Sequence, residues 1–447
     1  MISNRSWRRA LGPVTALAIA AGIVFASAER RLHRVDAAAA PAGGEAGWVA
    51  YGAVDPVSPR ALPYWVWYLL PRVFKDLMPG PGGYAAFGVV WESGQETPAG
   101  FAKVAGGYPR VVHNCALCHT ATYRTKPEET PHVVVGGPGH TVDIQALFRF
   151  YGRCAADSKF DAKLLLDQLS LITDLSAADR LLYRTAIVPR ARGVLSDWMA
   201  TASGPAGTPT WGPGRAHFAP APAGAAAADV PPIWQLGARA GAGKRLGWGG
   251  EWESPAAAVT ESALGLGAAR GDAESQAGRL VQFLDALPAP RFPFVDKVDR
   301  SLASRGQAIF AARCADCHAA DGKRTGTVIP IAEIDTDRER LRGSGSGGYV
   351  APPLSGIWLR APYLHNGSVP TVRALLEPEG RRPLRFSRGY DVIDPDNLGF
   401  LVTWPDQAQA GFNFDTSLPG NGKGGHRYGT ELAGPDKDAL IEYLKTQ

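Results

Sequence analysis

Apolar positions with a helical period recur along this chain of 447 residues. Near its end, Leu440, Ile441 and Leu444 fall on one helical face with Tyr443 beside them, and Pro435 can take the first helical position. Arg279 to Leu287 carries a similar run, Leu-Val-Gln-Phe-Leu against the later Leu-Ile-Glu-Tyr-Leu. Pro288, Pro290 and Pro293 stop it, because proline cannot continue a helix. Between these runs, Gly306, Ile309, Phe310 and Arg313 keep helical spacing within Ser304–Arg313. A glycine there lets another helix approach closely, and the last helix is the expected partner. Alternating β-branched runs are few and glycine and proline abundant (53 and 36). The pattern therefore predicts a mainly α protein with long loops.

The start of the chain has a different pattern. Arg5, Arg8 and Arg9 precede an uncharged apolar stretch, Leu11 to Ala28, that ends in Ala26-Ser27-Ala28. Residues 1–34 read as a signal peptide or as an N-terminal membrane anchor, with the basic Arg30-Arg31-Leu32-His33-Arg34 favouring retention and the small residues favouring cleavage. Either way the bulk of the chain is expected outside the cytoplasm, in the periplasm or secreted, or tethered to the inner membrane by residues 11–28. Residues 35–47 read as a linker, and a second boundary falls near 288–296. These divide the remainder into residues 48–290 and 298–447.

Composition narrows the class. With 45% hydrophobic and 20% charged residues the chain is globular. Its net charge of +5 is spread without a Lys/Arg block, so nucleic acid is not an expected partner, whereas an acidic redox partner fits.

Four of the five cysteines lie in two Cys-x-x-Cys-His units, Cys115–Cys118–His119 and Cys314–Cys317–His318. In such a unit the two thiols add to the haem vinyl groups, and the adjacent histidine is the proximal ligand to iron. A zinc site gives no reason for His directly after the second Cys in both units. Two covalently bound haem c groups are expected, one in each cytochrome c-like domain. Cys154 remains, and reads as a small buried apolar residue.

The sixth ligand sets the chemistry of a haem. The methionines are Met1, Met78 and Met199, so none follows the second unit. Downstream of His318 lie only His365 and His426. His426, in Gly424-Gly425-His426, is the preferred distal ligand because the glycines allow close approach to a porphyrin; His365 is the alternative. For the first haem the candidates are Met78, His113, His132, His140, Met199 and His217, and an open iron stands beside them. Asp394-Pro395-Asp396-Asn397 reads first as a solvated acidic loop and second as a calcium (Ca2+) loop.

The order of further segments carries a resemblance. Pro63-Tyr64-Trp65-Val66-Trp67 and Gly82-Gly83-Tyr84 lead into the first unit. Pro231-Pro232-Ile233-Trp234, Trp248-Gly249-Gly250 and Ala361-Pro362-Tyr363-Leu364-His365-Asn366-Gly367-Ser368 follow. From residue 60 to the end this resembles the di-haem cytochromes related to bacterial rubber oxygenases, and more distantly the bacterial di-haem cytochrome c peroxidases. The resemblance implies an N-terminal haem that meets dioxygen or peroxide and a bis-histidine C-terminal haem. It also implies a tryptophan between the haems, Trp234 or Trp248 here. The sequence departs from the peroxidase pattern in lacking an acid after Trp248 and a methionine after the second unit. The expectation is a redox cytochrome that exchanges electrons with a partner protein or small molecule. It is either an oxidoreductase of the oxygenase or peroxidase type acting at the N-terminal haem, or an electron-transfer cytochrome with both haems six-coordinate.

Overall fold

The computed structural model describes residues 30–31, 34–36, 41–202, 210–217, 226–239, 241, 243–342, 346–402 and 411–447. The leader stretch 11–28 lies outside these residues. Among the described residues no helix is long and apolar enough to cross a membrane.

Helix predominates, but the mainly α expectation needs correction. About 41% of the chain is helical and 13% is strand, a mixed architecture. The strands escape sequence detection because they are ribbons of two to four residues, too short for alternation to register. Strands β1 (Leu62–Pro63), β2 (Phe101–Val104) and β3 (Arg110–His113) form an antiparallel sheet in the order β1-β3-β2, with Leu62 opposite Val111 and Phe101 opposite His113. β4 (Thr120–Tyr123) and β5 (His132–Val135) pair directly after the first Cys-x-x-Cys-His unit.

The stretch 35–47 carries structure at both ends. Val35 bridges to Gly106, and helix α1 (Gly44–Tyr51) begins within the stretch. Tertiary contact overrides the Gly/Ala composition there. Arg279 lies 4.0 Å over the Trp48 ring and bonds Glu45 at 2.9 Å, which ties α1 to the helix Arg270–Ala286.

Three apolar clusters surround the site. The first gathers α2 (Tyr64–Val73), α3 (Ile144–Ala156), α4 (Val188–Thr201) and the three-stranded sheet. Helix α3 starts where Asp143 accepts the Ala146 amide at 2.8 Å, and it turns Leu147, Phe150, Tyr151 and a fully buried Cys154 inward. The second joins α7 (Arg300–Arg313) and α8 (Gly434–Leu444) to Trp234 and Trp358. The third packs α5 (Pro255–Gly265) on α6 (Arg270–Ala286), with Val49 of α1.

Helices α7 and α8 cross as the glycine predicts. A Cβ at Gly306 would lie 1.9 Å from the Ala439 carbonyl oxygen, so the backbones touch there. Helix α6 ends before Pro288 as expected and packs on α5.

Candidate haem site

The second Cys-x-x-Cys-His unit comes straight off the end of α7. The Cys314 amide caps the helix on the Phe310 carbonyl at 2.8 Å, and one further turn places the His318 amide on the Cys314 carbonyl at 3.0 Å. The first unit follows β3. Its Asn114 side chain accepts the Ala116 amide, and the His119 amide bonds the Cys115 carbonyl at 2.9 Å. In both units the turn brings the histidine beside the first cysteine. All five cysteines are free thiols, so the paired cysteines are not disulfides.

A single cavity of about 580 Å³ lies where the three clusters meet, and both units line it. Phe148 and Trp198 contribute from the first cluster, Leu440 and Leu444 from the second, and Leu280 and Leu284 from the third. This is a mostly apolar chamber with a few directed polar groups, the usual form of a cofactor site.

The histidines of the two units are oriented in the same manner. His119 Nδ1 donates to the Pro231 carbonyl at 3.0 Å, and His318 Nδ1 donates to the Pro352 carbonyl at 2.8 Å. A carbonyl can only accept, so the proton is on Nδ1 and the Nε2 lone pair is free for a metal. Burial pushes His119 down to about 4 and lowers His318 as well, which keeps both imidazoles neutral as ligation requires. The donor set and its fixed tautomers fit haem c.

His426 faces His318, with ring centroids 6.0 Å apart and planes at 48°. Its burial, and then the neighbouring His318, push it down to about 3. Gly425 and His426 both take left-handed backbone, at φ 77 and 46. The His426 amide is tied to the Ile334 carbonyl at 2.8 Å. His365 also lines the cavity, but its ring stacks on Tyr349 at 3.9 Å, and its buried Nε2 has no hydrogen-bond partner.

The six residues that the sequence offers as far-side ligands of a haem on the first unit separate cleanly. Only His217 lines the cavity, 6.1 Å from the Trp211 ring. His113 is buried among Phe101, Tyr151 and Trp198. His140 stacks on Phe400 at 4.2 Å, His132 bonds Glu129 on the surface, and Met78 and Met199 pack outside the chamber.

The two tryptophans also differ. Trp248 lines the cavity and donates from Nε1 to the Asp229 carbonyl at 2.7 Å. Trp234 is fully buried in the second cluster, where it donates to the Ser355 carbonyl at 3.3 Å. In the acidic loop, Asp394 accepts from the Asp396 and Asn397 amides and from the Asn397 side chain. Its carboxylate closes its own turn, and among the described residues no group of three or more His, Cys, Asp or Glu side chains is placed to hold a metal ion.

Sequence reasoning missed the carbonyl acceptor Pro352 and the guanidinium of Arg382. Pro352-Pro353 was detectable as a second copy of Pro231-Pro232. Arg382 had no local signal, since its partners are backbone carbonyls up to 44 residues away.

Comparison with known proteins points the same way. Residues 348–387 match a family model described as RoxA-like, cytochrome c-like. That segment, which holds Pro352 and His365, is similar to the cytochrome c-like part of the rubber-oxygenase cytochromes, a likeness that suggests a haem-binding redox function. Two curated relatives come from Sinorhizobium fredii (strain NBRC 101917 / NGR234). The uncharacterized protein y4iJ is 46% identical over 124 residues, covering 24% of this chain and 20% of its own length. The uncharacterized protein y4iM is 33% identical over 242 residues, covering 38% and 54%. This chain thus spans about a fifth of the first relative and about half of the second.

Proposed function

We propose that this protein is an exported di-haem c-type cytochrome, with one haem domain in residues 48–290 and one in 298–447. It would pass electrons between a redox partner, protein or small molecule, and dioxygen or peroxide at the His119 side. The observation that carries the reading is the 6.0 Å pairing of His318 with His426. Two neutral, buried imidazoles facing each other across that gap would both be available to hold one haem iron.

Haem c, when bound, supplies an iron that changes oxidation state and accepts a small ligand where a face is open. The protein's own residues do the rest. Cys115, Cys118, Cys314 and Cys317 tether the groups. His119 and His318 serve as proximal ligands with tautomers held by Pro231 and Pro352. His426 is the distal ligand on the second side, with His365 as the alternative. Phe148, Trp198 and Trp211 wall the first side against water. Trp248 is the better placed inter-haem relay, and Trp234 reads as packing. Periplasmic or secreted placement, with residues 11–28 as leader or tether, rests on the leader sequence.

One observation favours the second reading, a pure electron-transfer cytochrome. His217 lines the chamber and offers a sixth ligand to the first haem.

Electron paramagnetic resonance of the oxidised protein, before and after imidazole, counts open irons. One low-spin centre and one high-spin centre that converts supports the oxidoreductase; two low-spin centres support the carrier. His426→Ala should turn one haem high-spin while both stay attached. If that change leaves the low-spin signal and His365→Ala removes it, the ligand assignment is wrong. A colourless protein with the mass of bare polypeptide sinks the whole proposal.

A further inference from the structure

A file of aromatic rings leads away from the first side of the chamber. Trp198, which lines the chamber, lies 4.9 Å from His113 and 4.7 Å from Phe148. His113 stacks on Tyr151 at 5.9 Å, with planes at 12°. Tyr151 meets Tyr84 edge-on at 6.4 Å, and Tyr84 stacks on Trp67 at 4.5 Å with planes 4° apart. Trp67 reaches Tyr64 at 5.9 Å, and Tyr64 reaches Tyr68 at 5.9 Å. Every ring of the file is buried except the last, and Tyr68 is 44% exposed. The file therefore runs from the chamber to solvent.

Ring pairs at these spacings are ordinary core contacts, and phenylalanine makes them equally well, as Phe101, Phe148 and Phe150 do beside the file. The file itself is built of tryptophan and tyrosine, the aromatic side chains that give up an electron most readily. Its polar atoms suit that chemistry. The Tyr151 hydroxyl faces His113 Nε2 at 3.5 Å. Burial keeps that imidazole neutral, so it has a lone pair for a proton. The Tyr84 hydroxyl donates to the Trp67 carbonyl at 2.7 Å, an acceptor that cannot keep a proton, so Tyr84 serves as a bridge. Arg60 lies 4.8 Å over Trp198 and bonds the Gly265 carbonyl. A cation over a ring makes an electron harder to remove, so Trp198 passes electrons on and does not stay oxidised. Lys103, 4.1 Å over Tyr64, is instead paired with Glu96, which offsets its charge. The electron-poor state therefore settles on Tyr151 and Trp67.

We propose that Trp198, Tyr151, Tyr84, Trp67 and Tyr64 form an electron route from the surface at Tyr68 to the first side of the chamber, serving a small one-electron reductant of the ascorbate or phenol class. The inference rests on the oxidoreductase reading above, with hydrogen peroxide as the oxidant. Peroxide takes up two electrons and two protons, its oxygen–oxygen bond breaks, and two molecules of water form. Tyr151 gives the first electron through Trp198, and its phenolic proton moves to His113 Nε2. Trp67 gives the second through Tyr84 and Tyr151 and is left as a ring cation. Solvent supplies the protons that peroxide takes. Two molecules of reductant, each oxidised by one electron, refill the file through Tyr68 and Tyr64, and the proton on His113 returns to Tyr151.

The test uses the full holo-protein, with covalent haem counted by pyridine haemochrome. Hydrogen peroxide is added without reductant, and samples frozen at intervals are read by electron paramagnetic resonance. Wild-type protein should show a protein radical that narrows when the tyrosines are ring-deuterated. Tyr151→Phe should lose the tyrosine part of the signal, and Trp67→Phe the tryptophan part. Trp198→Phe should lower the radical yield and hasten bleaching of the haem. Ascorbate should quench the wild-type radical, and Tyr64→Phe should slow that quenching. Haem-loaded protein that consumes peroxide yet shows no protein radical, or keeps the same radical in both Tyr151→Phe and Trp67→Phe, overturns the route and leaves the oxidoreductase reading intact. Haem-loaded protein that does not consume peroxide removes both. Should a variant fail to fold, wild-type protein still decides. Peptide mapping after peroxide without reductant should find oxidation on Tyr151 or Trp67, buried though they are. Oxidation confined to exposed rings such as Trp91 overturns the route.

Discussion

Arg382 carries the strained turn at His426. A left-handed backbone is costly for a residue with a side chain, and the cost must be met by surroundings that over-determine it. Arg382 is buried and donates to the carbonyls of Lys423 at 2.7 Å, Gly425 at 2.8 Å and His426 at 3.2 Å. The glycine beside His426 was legible in the sequence as permission for close approach; the arginine that uses it was not. His113 illustrates a different residue-scale effect. Burial pushes it down to about 3, while the unfolded imidazole titrates near its ordinary value. Between those values the unfolded chain binds a proton that the folded chain refuses. Stability is therefore unaffected above about pH 6.5 and falls as the pH drops through the window below it. The slope from this one group should approach about 1.4 kcal/mol per pH unit. His113→Leu should flatten the dependence seen in urea unfolding between pH 7 and 4. An identical slope in the variant would show that other groups control acid unfolding.

Among the helices, the α7–α8 crossing is the contact on which the second site depends. The motif begins at the residue after α7, so displacing that helix displaces Cys314 and, with it, His318. Gly306→Val should cost at least about 1–3 kcal/mol, since the Ala439 carbonyl and the Tyr443 Cβ leave no room. It should also reduce the yield of protein carrying haem on Cys314. Gly278→Ala on the exposed side of α6 is the control. Nothing lies within 4 Å of a Cβ there, and the substitution should stabilise by about 0.5–1 kcal/mol. Thermal melts that rank the two the other way would remove the helix-crossing argument. The Gly306 contact could be foreseen because glycine in a helix has few other uses. The α5–α6 pairing could not, because the apolar faces of both are small and alanine-rich and carry no sign of which helix they meet.

Over the whole molecule, the two halves are tied through buried polar groups as well as through the chamber. Asp391 accepts Arg124 Nε and Thr122 Oγ1, both at 2.7 Å, so a carboxylate from the C-terminal half pins the β4–β5 ribbon behind the first unit. Arg388 makes a second tie to Asp229, whose amide donates to the His365 carbonyl at 2.8 Å. Removing one partner of such a buried pair leaves the other uncompensated, at a cost of about 3 kcal/mol or more. On the di-haem proposal, Asp391→Ala should therefore uncouple the two halves: loss of Soret absorbance in denaturant, expected as one transition in the wild type, should split into two. A variant in which they remain coincident at the wild-type midpoint would show that the halves are coupled elsewhere.

The sequence by itself marked the two Cys-x-x-Cys-His units, the short list of histidines that lie downstream of them and the helix boundaries at Pro288 and Pro435. Each of these is a local matter, settled by covalent spacing, by which residue types are present and by what proline and glycine permit. Tertiary structure alone decided that both units open into one chamber, that His217 and not His113 reaches it, and that His426 rather than His365 faces His318. Those facts depend on which residues meet across more than a hundred positions of chain, and such meetings are set by the packing of three separate apolar clusters, which no local pattern records.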